Sequence, residues 1–335
     1  MVHAAASPTD ATVPDAAVPG MAAGRRVAMK KHEAAGNDFL VHVDPGATWV
    51  PSPAFVVSVC DRRRGIGADG LVLVRPAVDD ADLEMVLYNA DGTRAEMSGN
   101  GIRCLVQAAV LTGLAKPGMV RVKTDAGLRV VEYEGTDGMG SASVEMGSVD
   151  LGEELESPIP GSRARRAGVG NPHVVVVVDD AGDGDGAGRD GAGRDGAGCG
   201  GAGCGGAGCD GPAGSAQADL SAIDLTRLAR QMTALVGEPV NVEVVQRAGE
   251  DVLALRVFER GVGETAACGT GSCAAAAVAH GFGLVGEVVA VQNPGGTLSV
   301  RLGAGPGTPV VLRGPVRHVA DVVLAASALD AGHLV

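Results

Sequence analysis

Aromatic side chains are scarce in this sequence, which has one Trp, two Tyr and four Phe among 335 residues. Proteins that bind single-stranded nucleic acids stack the bases on aromatic rings, so such a surface would be hard to assemble here. Basic residues are also few, because 27 Lys and Arg stand against 40 Asp and Glu and leave a net charge of −13. Phosphate backbones and anionic lipid surfaces repel such a chain. We expect no nucleic-acid and no membrane partner, and favour a small-molecule ligand.

Long apolar runs are missing as well. No stretch approaches the roughly 18 apolar residues that a membrane-spanning helix needs, and no compact apolar stretch follows the first basic residues as in a secretory signal. We therefore expect a cytoplasmic protein. In that compartment the seven cysteines are expected to be free thiols rather than a disulfide framework, so an important cysteine would be a reactive one.

The apolar content, 46% of the residues, is sufficient for two domains, but two segments do not fit a core. Residues 1–26 show no periodicity and predict a disordered leader. From Asp185 to Cys209 a five-residue unit repeats five times, from DGAGR to GGAGC. This tract predicts a mobile low-complexity insertion at 181–216. Its three cysteines each close one unit, so the repeat explains their spacing without a metal site.

Two parts of the chain resemble each other. The stretch GNDFLVHVD, Gly36–Asp44, and the stretch GNPHVVVVVD, Gly170–Asp179, both read Gly-Asn, two residues, a Val-rich strand and Asp. The first precedes SGNG, with Ser98 lying 61 residues after the Asn, and the second precedes CGTG, with Cys268 lying 97 residues after the Asn. The excess is close to the length of the insertion. The shared order and spacing favour an internal duplication.

Short Val-rich strands alternate with Gly-rich turns along the rest of the chain. The best helices are predicted at Ile102–Leu114 and Ser272–His280, each just after a Gly-x-Gly turn. We predict an α/β (α+β) fold of two pseudo-symmetric halves, each a curved, mostly antiparallel sheet around a central helix, with the active site in the cleft between them. The halves are residues 27–147 with 314–335, where the last strand returns, and residues 148–313.

Each Gly-x-Gly turn before a helix offers unpaired N–H groups and a partial positive charge, which bind an anion such as a carboxylate. Ser98 and Cys268, just before these turns, would lie next to the α-carbon of a bound amino acid. The helix dipole favours a thiolate at Cys268, which could remove an α-proton. A second group on the opposite face could return one, which inverts the centre. No metal is expected, because the histidines lack a ligand spacing such as H-E-x-x-H.

Cys104 and Cys273 lie inside apolar helical runs, and we interpret both as core residues.

Several motifs, in order, resemble the diaminopimelate epimerase family across nearly all of residues 29–325. They are GNDF, RRGIGADGLVL, YNADGT, GNGIRC, GNPH, ERGVGETAACGTGSC and GPVRHV. The family interconverts LL- and meso-2,6-diaminopimelate in lysine and cell-wall synthesis. The resemblance implies this activity, no cofactor, an amino-acid substrate with two charged ends, and a homodimer.

The resemblance also implies roles for individual residues. Cys268 matches one of the two catalytic cysteines of the family, and Ser98 falls where the other is found. Contacts to substrate are implied for Asn37, Asn89, Gly99, Asn100, Asn171, Asn241, Glu259, Arg260, Gly269 and Thr270. His173 and Glu259 match residues thought to tune the two thiols. Gly70 stands where the family often has a polar residue, so that contact stays unassigned.

Ser98 departs from the two-cysteine pattern, and three explanations are open. The chain is an engineered variant, a natural epimerase that uses Ser98 directly or through water, or a one-thiol relative such as a proline-type racemase or a dehydratase. A non-catalytic amino-acid-binding protein that kept the cleft is a further alternative. Cys104 cannot replace the missing thiol, because six residues along a helix add about 9 Å of rise and about 240° of rotation.

Overall fold

The computed structural model describes residues 27–77, 79–136, 138–178, 219–305 and 307–324. The predicted leader at 1–26 and the predicted insertion at 181–216, with the three cysteines of the repeat, lie outside these residues.

The described residues form seventeen strands and four α-helices. The first nine strands are β1 (Val27–Ala34), β2 (Asn37–Val43), β3 (Gly70–Pro76), β4 (Leu83–Asn89), β5 (Arg94–Ala95), β6 (Gly118–Thr124), β7 (Gly127–Thr136), β8 (Met139–Gly147) and β9 (Asp150–Leu155). The remaining strands are β10 (Ser162–Gly168), β11 (Pro172–Val178), β12 (Asn241–Gly249), β13 (Val252–Glu259), β14 (Gly263–Thr265), β15 (Val288–Asn293), β16 (Gly296–Arg301) and β17 (Val310–Leu324). The helices are α1 (Pro53–Cys60), α2 (Gly99–Leu111), α3 (Leu225–Val236) and α4 (Gly269–Gly281), with a short 3₁₀ turn at Leu220–Ala222.

The strands before β9 close into a barrel around α2. Neighbouring pairs run antiparallel from β1 to β2, parallel from β2 to β3, antiparallel from β3 to β4 and parallel from β4 to β6. Antiparallel pairs then join β6, β7, β8 and β17, and β17 returns to β1. Eleven consecutive residues of α2 are buried inside this ring, which explains why, apart from Asn100, Arg103 and Gln107, the helix consists of glycine and apolar residues.

The second group of strands repeats this order around α4. The pairs are antiparallel from β10 to β11, parallel from β11 to β12, antiparallel from β12 to β13 and parallel from β13 to β15. Antiparallel pairs continue through β16 to β17, and β9 extends the other edge beside β10. Each parallel pair is joined by a crossover that contains a helix, which is α1 or α2 in the first group and α3 or α4 in the second. The predicted α+β architecture with two pseudo-symmetric halves is confirmed.

Strand β17 belongs to both groups of strands. Its residues 310–317 pair with β8, and three of these, 311–313, also pair with β16. Residues 317–324 pair with β1. The C-terminal strand therefore ties the two barrels together, in line with the predicted return of the last strand. The boundaries of the two halves stay a prediction.

The two central helices begin earlier than the sequence predicts. α2 starts at Gly99 rather than Ile102, and α4 starts at Gly269 rather than Ser272. The Gly-x-Gly segments are thus the first turn of each helix and not a turn ahead of it. Glycine has low helix propensity, so the sequence pattern placed the start three residues too late.

Helices α1 and α3 lack a long apolar pattern and were not predicted individually. Their ends carry ordinary signals, since Ser52 caps α1 ahead of a proline, and Asp224 caps α3.

Candidate active site

The N-termini of α2 and α4 meet at the interface of the two barrels. A Cβ atom on Gly269 would lie 3.5 Å from the Cα of Gly99 and 2.9 Å from Leu312 Cδ2. Only glycine at this point lets the two helix ends approach so closely. The partial positive charges of two helices therefore converge on one place, which is suited to a carboxylate.

Ser98 and Cys268 cap these two helices in the same way. Ser98 Oγ accepts a hydrogen bond from Gly101 N at 3.1 Å, and Cys268 Sγ accepts one from Gly271 N at 3.4 Å. Both caps have extended backbones, with φ, ψ of −140°, 125° and −125°, 120°. The structure thus brings the two candidate proton-transfer groups to equivalent positions at the meeting helix ends.

Asn100, in the first turn of α2, bridges the two halves. Its Nδ2 lies 3.3 Å from Asn37 Oδ1 and 3.4 Å from the carbonyl oxygen of Ala267. Arg103, which the sequence analysis did not single out, donates from Nη2 to Asn100 Oδ1 at 2.6 Å and from Nη1 to the Gly99 carbonyl at 3.0 Å. Arg103 is fully buried, and this burial lowers its pKa to about 10. A buried guanidinium thus holds the first turn of α2.

Cys268 lies in a dry environment with carboxylates nearby. Its exposed fraction is 6%, and burial raises the pKa of the thiol well above its usual value, with the charges of Glu259 and Glu243 adding to the effect. The bond from Thr270 Oγ1, 3.4 Å from Cys268 Sγ, acts in the opposite direction. Cys268 is therefore held as a neutral thiol.

Glu259, at the end of β13, contributes more than Glu243 to the raised pKa of Cys268. Burial raises the pKa of Glu259, although hydrogen bonds from Thr265 and Cys268 partly offset that effect. Thr265 Oγ1 donates to Glu259 Oε1 at 2.5 Å. The carboxyl group is therefore fixed beside Cys268.

His173 and Glu243 form a buried pair on the neighbouring strands β11 and β12. His173 Nδ1 lies 2.7 Å from Glu243 Oε1, and both side chains are fully buried. His173 Nε2 lies 2.9 Å from Asn171 Oδ1. The sequence analysis missed Glu243, because a single Glu inside the Val-rich run VNVEVV carries no signal of a partner 70 residues away.

The other predicted contact residues are placed less centrally. Asn241 Oδ1 accepts from the backbone N–H of Arg260 at 2.8 Å, and the Arg260 side chain is exposed. Asn89 donates to Thr93 Oγ1 in its own turn at 3.0 Å, and it pairs across the sheet with Gly70. The structure gives none of these three side chains a hydrogen bond to Ser98 or Cys268.

The other described cysteines are structural. Cys60, Cys104 and Cys273 are buried and free of disulfides, and burial raises the pKa of each thiol to about 12. The interpretation of Cys104 and Cys273 as core residues is confirmed. Among the described residues, no group of three or more His, Cys, Asp or Glu could hold a metal ion. Over the same residues, no helix is both long and apolar enough to span a membrane.

Comparison with known proteins gives matches over most of the chain. The family model described as diaminopimelate epimerase matches residues 29–152 and 217–319. A diaminopimelate epimerase from Halorhodospira halophila is 34% identical over 315 residues, which cover 89% of this chain and 96% of that protein. Another from Methanocella arvoryzae is 34% identical over 293 residues, with 82% and 89% covered.

Two solved structures share the fold. A phenazine biosynthesis protein of the PhzF family from Bacillus anthracis has a TM-score of 0.62 at 12% identity, and the match covers 90% of this chain and 99% of that one. A hydroxyproline epimerase from Agrobacterium vitis has a TM-score of 0.59 at 15% identity, with 91% and 94% covered. At such low identity these matches show the fold alone.

Proposed function

Because the chain belongs to the diaminopimelate epimerase family, we propose that it interconverts LL- and meso-2,6-diaminopimelate without a cofactor, as a step of lysine and cell-wall synthesis. The observation that carries this proposal is the meeting of two helix N-termini, capped by Ser98 and Cys268. The α-carboxylate of the substrate binds the backbone N–H groups of Gly99 and Asn100 and of Gly269 and Thr270, where the dipoles of both helices stabilise it.

The reaction moves one proton at the α-carbon. A group on one face removes the α-hydrogen as a proton, the electron pair is delocalised into the carboxylate, and a group on the other face supplies a proton to the same carbon. The helix N-termini stabilise the negative charge that develops on the carboxylate oxygens. Cys268 serves one face, and Ser98 stands on the other in place of a second thiol.

The contacts of the polar residues agree with such a site. Asn37 and Asn100 contact each other at the start of α2, Asn171 contacts His173, and Glu259 lies beside the thiol. In the proposal Glu259 and Arg260 bind the charged groups of the substrate, since a carboxylate pairs with an ammonium and a guanidinium pairs with a carboxylate. His173 and Glu259 adjust the acidity of the thiol.

Ser98 also favours a second candidate, a one-thiol enzyme such as a proline-type racemase or a dehydratase. In such an enzyme only the Cys268 face exchanges protons, and the other face needs only a neutral wall. A non-catalytic amino-acid-binding protein would retain the carboxylate site and transfer no proton.

The test is α-hydrogen exchange in deuterated water. The purified protein is incubated with LL- or meso-diaminopimelate, the isomers are separated on a chiral column, and deuterium is measured by mass spectrometry. We expect deuterium at the α-carbon together with the other isomer. Cys268→Ser is expected to abolish both, whereas the matched control Cys104→Ala, in the core of α2, is expected to retain both.

The alternatives give different results in this experiment. Exchange without inversion supports one-thiol chemistry, and conversion of proline but not of diaminopimelate supports a proline-type racemase. Binding of diaminopimelate without any exchange overturns the enzymatic proposal. Two further parts of the proposal, a cytoplasmic location and a homodimer, are tested by cell fractionation and by light scattering.

A further inference from the structure

Glu243 is a buried carboxylate, and only one of its two oxygens has a hydrogen-bond partner among the described residues. Its Oε1 lies 2.7 Å from His173 Nδ1, while Oε2 is buried and has no hydrogen-bond partner among the residues that the structure describes. A buried carboxylate costs free energy unless its partners compensate for lost water. Stability of the strand alone does not account for such a group, because valine occupies the neighbouring buried positions on β12.

The pair extends toward the substrate site. His173 Nε2 contacts Asn171 Oδ1 at 2.9 Å, so one ring nitrogen is engaged by the carboxylate and the other by the asparagine. A carboxylate on one nitrogen fixes the orientation of an imidazole and of whatever the other nitrogen holds. Glu243 therefore determines, through His173, where the Asn171 side chain points.

Glu243 also lies against the first turn of α4. A Cβ atom on Gly271 would be 2.5 Å from Glu243 Oε1, and Gly271 N is the donor to Cys268 Sγ. Glu243 contributes, after burial and Glu259, to the raised pKa of Cys268. The titratable groups beside the pair are Cys268, just ahead of α4, and Glu259 on β13.

The other half of the molecule has no such pair. In the parallel pairing of β11 with β12, His173 lies beside Asn241, and in the matching pairing of β2 with β3, Phe39 lies beside Gly70. Two residues further along β3 stands Val72, at the position that Glu243 takes on β12. In the first half, which contains Ser98, an aromatic ring and a valine thus take the positions that a histidine and a carboxylate take in the second half, which contains Cys268.

We propose that Glu243 is a positioning residue for proton transfer at Cys268, acting through His173 on Asn171 and on the first turn of α4. This inference rests on the proposed function for its kinetic consequence. His173 and Glu243 then act on one face of the α-carbon only, and the loss of Glu243 slows proton transfer at that face.

The first experiment compares Glu243→Gln with Val72→Ala, its counterpart in the other half, by α-hydrogen exchange from each diaminopimelate isomer. The isomer that exchanges faster in the unmodified protein is the one whose hydrogen faces Cys268. We expect Glu243→Gln to slow that exchange about 10–100-fold, the value of one buried hydrogen bond to a charged group, with little change in KM. The slower isomer is expected to change less, and Val72→Ala to leave the ratio of the two exchange rates unchanged.

A double variant takes its side chains from the other half. If Glu243 acts through His173, the loss in His173→Phe and the loss in the double variant His173→Phe, Glu243→Val are equal, because interacting residues are not additive. The double variant carries the two apolar residue types found at the matching positions of the first half, so it also controls for misfolding. A larger loss in the double variant than in His173→Phe, or equal slowing of both isomers by Glu243→Gln, would overturn the inference.

A second measurement needs no substrate. The pH dependence of Cys268 alkylation by iodoacetamide is followed by peptide mass mapping in the intact protein. We expect its midpoint to fall in Glu243→Gln, since a negative charge beside the thiol is removed, and to stay in place in Val72→Ala. An unchanged midpoint in Glu243→Gln would contradict the inference. If diaminopimelate shows no exchange in the unmodified protein, the proposed function fails while this measurement still decides on Glu243.

Discussion

Replacing Ser98 by cysteine is the most informative single change in this site. The structure already shows how a thiol fits such a cap, because Cys268 Sγ takes its backbone donor at 3.4 Å where Ser98 Oγ takes its own at 3.1 Å. The two caps share their backbone conformation, and Ser98 is half-buried. We expect Ser98→Cys to fold as the unmodified protein does.

The expected magnitude follows from the surroundings of the two caps. Burial, followed by the charges of Glu259 and Glu243, keeps Cys268 protonated. In the half that contains Ser98, apolar residues take the positions of His173 and Glu243, and the cationic Arg103 lies in the helix that Ser98 caps. A thiol introduced there ionises more readily than Cys268, so it acts as the base while Cys268 acts as the acid. A positioned acid–base group contributes about 10²–10⁴-fold, and we expect the inversion rate to rise by about that factor.

The assay is the chiral separation of LL- and meso-diaminopimelate with deuterium counting, which measures inversion and exchange in one sample. In the unmodified protein we expect exchange at the Cys268 face to exceed inversion, and in Ser98→Cys the two rates should converge. Ser98→Ala serves as the control for a role of the hydroxyl itself. Unchanged inversion in Ser98→Cys, in a protein that was already a fast epimerase, would mean that Ser98 is a competent partner and that the two-thiol interpretation fails for this chain.

Three further changes test the fold around the site. Gly295→Ala should lower the free energy of unfolding in urea by about 1–3 kcal/mol, because its Cβ would lie 2.1 Å from the carbonyl oxygen of Ala35, while Gly305→Ala, with open space around it, should change little. Burial lowers the pKa of His32 to about 4, so as the pH falls this side chain is protonated in the unfolded chain before it is protonated in the folded protein. The free energy of unfolding should therefore fall by about 2 kcal/mol between pH 7 and pH 5, and His32→Asn should reduce this dependence on pH. Arg103→Met removes the donor that holds the first turn of α2 and should raise KM more than it lowers kcat, and an unchanged KM in steady-state assays would contradict this role.

The fold was largely predictable because its signals are local. Valine-rich runs bounded by glycine predict the strands, and the repeated Gly-Asn motif indicates the duplication without any knowledge of tertiary contacts. The starts of α2 and α4 were not predictable in this way, because Gly99 and Gly269 are poor helix formers that are tolerated only where two helix ends touch.

The residues of the candidate site also differ in whether a local sequence signal indicates them. Ser98 and Cys268 stand out in the sequence because the turns that follow them are alike. Glu243 and Arg103 do not, since each sits in an apolar segment and acquires meaning only through a partner that tertiary packing supplies. Parallel pairing of β11 with β12 places Glu243 near His173, and no spacing rule anticipates a register across a crossover. The roles of the predicted contact residues remain predictions.

Strand β17 has a consequence for how the chain folds during synthesis. It is the partner of both β1 and β8, so the first barrel cannot close until Leu324, the pairing partner of Val27, has left the ribosome. Until then two open strand edges remain on the nascent chain, and open edges recruit other chains. Contacts between residues so distant in sequence also form slowly. The first half to be synthesised is therefore among the last parts to be completed. Its protection from aggregation depends on β17, which is synthesised late.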